Sequence, residues 1–252
     1  MSSSLSYVFC LVRSARRPSL RAVTDGMPGG EDLRAIEVGD DLWAIVQSVP
    51  GSEYGEAALA GGLQNLDWVG PRAVAHERVI ESFLAAPGLL PMQLFTLFTS
   101  DERVADHVRS DRARITRILK RIEKKVEWGL RLTFNEKAVR DKAASKHARS
   151  GAEFLARKRD ILDVSRTRLA AARKQADHVY KAMTRQAAAA QRRTSLERAA
   201  PGSRLLLDAA FLVPAARAAA FKSAVKQQTR ELRPSGVEVS LTGPWPPYNF
   251  IQ

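Results

Sequence analysis

Tyr7, Phe9 and Leu11 alternate with Val8, Cys10 and Val12, so Leu5–Arg13 predicts a strand that is apolar on both faces. Leu33–Val38 and Leu42–Val49 read as two more strands, joined by the hairpin signal Gly39-Asp40-Asp41. Ser52 is placed to cap a short helix over Glu53–Leu63. A stronger helix is expected from Pro71 to about Ala86, with Val74, Val79, Ile80, Phe83 and Leu84 at helical spacing. Leu89–Phe98 is an apolar run with Pro91 near its start and suits one buried strand. Ser100 then caps a basic helix over residues 101–125, with Asp101 and Glu102 in its first turn.

The second half alternates strand and helix. Val126, Trp128, Leu130 and Leu132 share one face of a strand. Polar Asn135–Arg149 reads as a loop or a frayed helix. A long basic helix is expected over residues 150–197, where Leu155, Leu162, Leu169, Ala176, Met183 and Ala190 recur every seventh residue. The second apolar position of that heptad is poor (Lys158, Ser165, Gln186), and a turn is expected near Ala187–Arg193. Leu205–Val213 as strand, Pro214–Leu232 as helix and Val237–Leu241 as strand complete the pattern. The expected fold class is α+β in two domains, 1–125 and 126–252. The C-terminal domain would set helices against one face of a mainly antiparallel sheet, nearest to a ferredoxin-like sandwich with a long helix.

Charge changes this picture in one place. The chain carries a net +13, yet residues 101–200 alone hold 27 Lys+Arg against 13 Asp+Glu, so the basicity belongs to the middle. Nucleic acid, an anionic membrane or an acidic protein surface would each answer such a patch. The nucleic-acid alternative would use helices 101–125 and 150–197, although no zinc knuckle, basic zipper or RNP-type aromatic motif accompanies them. One cysteine, Cys10, excludes an internal disulfide framework and fits a reducing compartment. The N-terminus does not read as an export signal, because its basic cluster follows the apolar run. No window approaches the apolar length of a membrane span.

Catalytic signals are few. Neither a phosphate-binding loop nor a G-x-G-x-x-G after a strand is present, and His76, His107, His147 and His178 are far apart, without metal-ligand spacing. No enzyme, metal or cofactor is expected, and an enzyme would need a site gathered from distant residues. The most individual stretch is the C-terminal strap. In Gly243-Pro244-Trp245-Pro246-Pro247-Tyr248-Asn249-Phe250 three prolines stiffen the chain and three aromatic rings hang on it. Docked on the C-terminal sheet, such a strap would make Trp245→Ala cost about 3 kcal/mol there.

Seven segments in order resemble the gas vesicle protein GvpL/GvpF family, and the resemblance runs nearly end to end. They are Tyr7–Val12, Leu66–Val79, Leu90–Phe98, Val126–Leu132 (V-E-W-G-L-R-L), Ser150–Arg159, Leu207–Val213 and Thr242–Phe250. Where the family pattern carries Arg and Gly in its proline-containing strand, this chain has Gln93 and Phe95. Many relatives have Asn and Tyr at Asp208 and Phe211. The resemblance implies two α+β domains, the second a modified ferredoxin-like fold. It also implies a non-enzymatic accessory or minor structural role in gas vesicle assembly. Implied partners are the hydrophobic shell protein GvpA and other accessory Gvp proteins, without a small-molecule substrate. The implied place is the cytoplasm and the gas vesicle. Candidate partner-binding residues are Arg157, Lys158 and Arg159 on the long helix, and Pro244, Trp245, Pro246, Pro247, Tyr248 and Phe250 on the strap. The apolar run Leu89–Phe98 is a further candidate surface.

Overall fold

A computed structural model describes residues 4–21, 23, 25–137, 151–194 and 201–251; for 151–158 only the backbone is described. Two compact units result: residues 1–126 together with 245–252, and residues 127–244. The sequence reading had placed the terminal strap in the second unit, but Trp245–Gln252 clusters with the first.

The first unit is built on β1 (Ser4–Arg13), β2 (Arg34–Gly39), β3 (Leu42–Pro50), β4 (Gly88–Pro91) and β5 (Leu97–Phe98). Their order is β2-β3-β1-β4, with β5 also on β1. The β2–β3 hairpin turns through Asp40 and Asp41, the latter at a φ of 54°. Expected strand 89–98 is therefore two short strands. Both pair antiparallel with β1, Cys10 opposite Pro91 and Tyr7 opposite Leu97. Residues 92–96 leave the sheet between them, opposite the point where the β1–β3 register slips, between Val8 and Cys10. A bulge of this kind interrupts a ladder and bends its strand.

Helices cover both faces of this sheet. Neighbouring side chains on a strand point to opposite faces. Ser6 donates to Asp101 of α4 (Asp101–Ser110) at 2.6 Å. Tyr7, next along, meets His76 of α3 (Leu66–Glu81) at 2.8 Å. The sequence contains the reason, since β1 is apolar on both parities and is buried from Ser6 to Val12. Arg34 donates twice to Asp101 and holds that carboxyl below the usual carboxylate range.

Local signals explain where helices begin and break. The expected helix 53–63 is two pieces, α1 (Gly51–Tyr54) and α2 (Glu56–Gly62), and Ser52 caps neither. Helix α3 starts at Leu66 rather than Pro71, because the Asn65 side chain accepts the Asp67 N–H and caps it. Its exposed face includes Val74, half exposed at 50% although the periodicity placed it in the core. The Ser100 cap forms as expected, but the helix 101–125 breaks at Asp111 into α4 and α5 (Arg112–Ile122). Between β1 and β2 a glycine-rich loop folds over Gln47, whose Oε1 accepts from Met27 N–H and whose Nε2 donates to Glu31 O, each at 2.6 Å. A Cβ at Gly26 or Gly30 would collide with that amide, so both positions need glycine.

The second unit holds β6 (Lys125–Asn135, its first two residues in the first unit), β7 (Ala189–Arg192), β8 (Ser203–Pro214) and β9 (Val237–Trp245), ordered β7-β8-β6-β9. Helices α6 (Gly151–Thr184) and α7 (Ala218–Leu232) pack on β8, with Tyr180 and Phe221 both against Phe211. The long helix stops at Thr184 instead of Glu197. After a turn, residues 189–192 form β7, antiparallel to β8. Residues 138–150, including most of the expected loop Asn135–Arg149, lie outside the described residues. Among the described side chains of α6 the buried stripe is Ser165, Ala172, Ala176, Val179 and Met183, while Leu162 is exposed and Leu169 half-buried.

One charged knot sits in this unit. Asp208 is buried, and accepts from Arg193 at 2.6 Å and Arg131 at 3.0 Å. Burial alone would raise its pKa, but the two guanidiniums outweigh burial and hold it low. Stability from this pair is thus present above the ordinary aspartate range and is lost as pH falls through it. Asp208→Asn keeps the shape and removes the charge. Because both arginines are partly exposed, a cost of about 1–2 kcal/mol is expected, read as a lower urea midpoint at pH 7, and the difference should shrink as pH falls below the ordinary aspartate range.

Candidate functional site: a cleft walled by the C-terminal strap

On the first unit a cleft of about 730 Å³ lies between α3, residues 90–96, α4–α5 and the strap. Its floor is apolar, from Leu90, Ile115 and Ile118, while Glu77, His107, Asp111 and Arg114 bring polar groups to it.

Two successive residues of α3 fix two of its walls. His76 is buried and holds the excursion 92–96. Its Nε2 faces the Met92 carbonyl at 3.2 Å, and a carbonyl only accepts, so Nε2 carries the proton. Nδ1 must then accept from the Tyr7 hydroxyl at 2.8 Å, and the Tyr7 oxygen in turn accepts the Phe95 N–H at 3.1 Å. Burial lowers the His76 pKa to about 4, with the Met92 contact opposing, and burial raises the Tyr7 phenol. The histidine is a neutral structural pin between β1 and the excursion.

Phe95 makes that pin necessary. It sits at a φ of 64°, the left-handed region that glycine enters freely and a phenylalanine enters under strain. Its ring stacks on Trp68 at 5.4 Å. The Arg72 guanidinium lies over Trp68 at 4.1 Å and over Tyr54 at 5.1 Å, and Arg72 pairs with Glu53 at 3.2 Å. Aromatic packing thus offsets the backbone strain. Gln93 is exposed at the cleft.

Glu77 holds the strap. Tyr248 donates to its Oε2 at 2.5 Å. Burial raises the Glu77 pKa, with the Tyr248 bond opposing; burial and then Glu77 raise that of Tyr248. Pro246, Pro247 and Phe250 are buried, whereas Pro244 and Trp245 are exposed. Tyr248 packs against the first unit's core. Trp245, 36% exposed, is therefore not the buried anchor that its size suggested. Of the basic triplet, Arg159 is exposed on α6, and the side chains of Arg157 and Lys158 lie outside the described residues. Trp245–Phe250 of the strap belong to the first unit and the triplet to the second. His76, Glu77 and Tyr7, which the sequence reading had not chosen, organise the cleft. Tyr7 and His76 are 69 residues apart, and no spacing rule announces such a pair. No cluster of metal-ligating side chains is found among the described residues, and no described helix is long and apolar enough to cross a membrane.

These features define a mixed helix-and-sheet protein of two compact units, with a strap folded onto the first. The model for "Gas vesicle synthesis protein GvpL/GvpF" matches residues 5–252, and the chain belongs to that family. A curated relative, gas vesicle protein L of a Streptomyces species, is 30% identical over 98% of this chain and 92% of its own length. The crystal structure of GvpF from an Anabaena species superposes with a TM-score of 0.69, covering 99% of this chain and 97% of that one at 16% identity. GvpF from Microcystis aeruginosa gives 0.67 over the whole of both chains at 13% identity. The fold is thus the mixed helix-and-sheet fold of GvpF structures. The family is one of gas vesicle proteins and not an enzyme family, which gives this chain a gas-vesicle-related role.

Proposed function

We propose that this chain is a non-enzymatic accessory or minor structural protein of gas vesicle assembly, binding the shell protein GvpA and other accessory Gvp proteins in the cytoplasm and at the vesicle. The observation that carries this reading is the family match across residues 5–252. A very hydrophobic shell subunit needs a binder that offers apolar and charged surface rather than a catalytic pocket. Pro244 and Trp245 offer exposed surface on the strap, and Arg159 does so on α6; Arg157 and Lys158, whose side chains lie outside the described residues, complete the proposed basic triplet. Pro246, Pro247, Tyr248 and Phe250 serve that surface by anchoring the strap. We also infer that the second unit is a modified ferredoxin-like sandwich; its four-stranded sheet, with α6 and α7 on β8, supports this.

The test is a clean gene deletion in a host with no second copy, with a tagged chain for complementation. Vesicles should be lost or deformed, and GvpA should co-purify with the tagged chain. Normal floating vesicles in the deletion strain would refute the role. Recovery of the chain in washed vesicles, before and after urea stripping, separates a shell component from an assembly factor.

A further inference from the structure

Arg159, Leu162, Arg166, Leu169 and Arg173 follow one another on α6 at alternating steps of three and four. On a helix of 3.6 residues per turn these steps make one stripe, about 21 Å long. It is not the stripe that packs on the sheet, which runs through Ser165, Ala172 and Val179. The three arginines and Leu162 are exposed, and Leu169 is half-buried. Arg166 meets Asp163 at 3.6 Å, but both side chains are largely exposed, and such a pair contributes little.

Alternating steps of three and four are the seam spacing of paired helices. Here every second seam residue is arginine. Two copies of this stripe would set guanidinium against guanidinium, which disfavours self-pairing. Residues 159–184 hold six Lys+Arg against three Asp and no Glu, so acidic residues there offset only half of the basic charge. Nucleic acid would use the arginines and leave the leucines without a partner.

We propose that this stripe docks an amphipathic partner helix that sets carboxylates opposite Arg159, Arg166 and Arg173 and apolar side chains against Leu162 and Leu169. The proposal deepens the binding role above and rests on it. Leucines supply the buried contact, and the arginines set register and exclude a second copy.

Fluorescence anisotropy on the full chain at physiological salt tests it. The probe is a labelled synthetic peptide of about three heptads, with Glu and Leu alternating along one seam. A control peptide has the same composition in an order that gives no apolar face. The seam peptide should bind at least about tenfold tighter than the control. Reversing Arg159, Arg166 and Arg173 to Glu, or changing Leu162 and Leu169 to Ser, should each weaken it by about tenfold or more. Reversing exposed Arg117 and Lys120 of α5 and Lys124 just beyond it should change it by less than about threefold. Equal binding of the control peptide, equal loss on reversal of α5, or indifference to the leucine changes would overturn the proposal. Vesicle loss in the deletion strain alongside any of these results would leave the assembly role standing and remove only this surface.

Discussion

Truncation after Trp245 is expected to destabilise the first unit by about 4 kcal/mol or more, while the second unit unfolds as before. Phe250 is 7% exposed, and deleting a buried aromatic side chain costs about 3–5 kcal/mol. Loss of Tyr248 strands the half-buried Glu77 carboxylate, a hydrogen bond to a charged group contributing about 1.5–3 kcal/mol. The terms are not additive, since both residues dock as one segment. Trp245→Ala alone should cost only about 1 kcal/mol, because the ring is already partly in solvent. Calorimetry of the full chain, with the two unfolding steps resolved, checks both. Equal effects of the point change and the truncation would mean that Trp245, not the residues after it, anchors the strap.

Acid should weaken the first unit through His76. Its folded pKa is about 4 and its unfolded value about 6.5. A histidine held neutral by burial lends its full stability above the unfolded pKa. That stability declines as pH falls from about 6.5 towards 4, where the difference approaches roughly 3 kcal/mol. Protonation would oblige Nδ1 to stop accepting from Tyr7, which in turn receives the Phe95 N–H. Melting temperatures of the first unit at pH 7.5, 6 and 5 should fall steadily in the native chain. They should be flatter, and start lower, in His76→Leu, whose leucine leaves the Tyr7 hydroxyl without its acceptor. A native chain as stable at pH 5 as at pH 7.5 would contradict this reading of the imidazole.

Much of the architecture was legible in local patterns. The alternation in β1 and β6, the Ser100 cap and the break in the long heptad all rest on forces acting within a few residues. The sequence reading failed where a tertiary contact decides. Leu89–Phe98 looks like one strand by composition, yet residues 92–96 leave the sheet because His76 and Tyr7 hold them from across the unit. Val74 fits the helical period of α3 but lies beyond the edge of the packed face. The strap was readable as stiff and aromatic, but its own residues do not encode which unit receives it. Glu77 lies 171 residues away from Tyr248.

The strap's destination also fixes an order of events during synthesis. Residues 1–126 build most of the first unit, but its last wall belongs to residues 245–252. On the ribosome chains fold from the N-terminus as they emerge. The intervening residues 127–244 must be translated before Tyr248 can reach Glu77 on α3. Until then the nascent first unit exposes the apolar surface that the strap later covers. The second unit is continuous in sequence, yet its edge strand β9 runs to Trp245, so it too is complete only as the strap emerges. Native completion of the N-terminal half is thereby tied to successful translation through the C-terminal one, and a message truncated between them yields a chain marked as unfinished by its own open cleft.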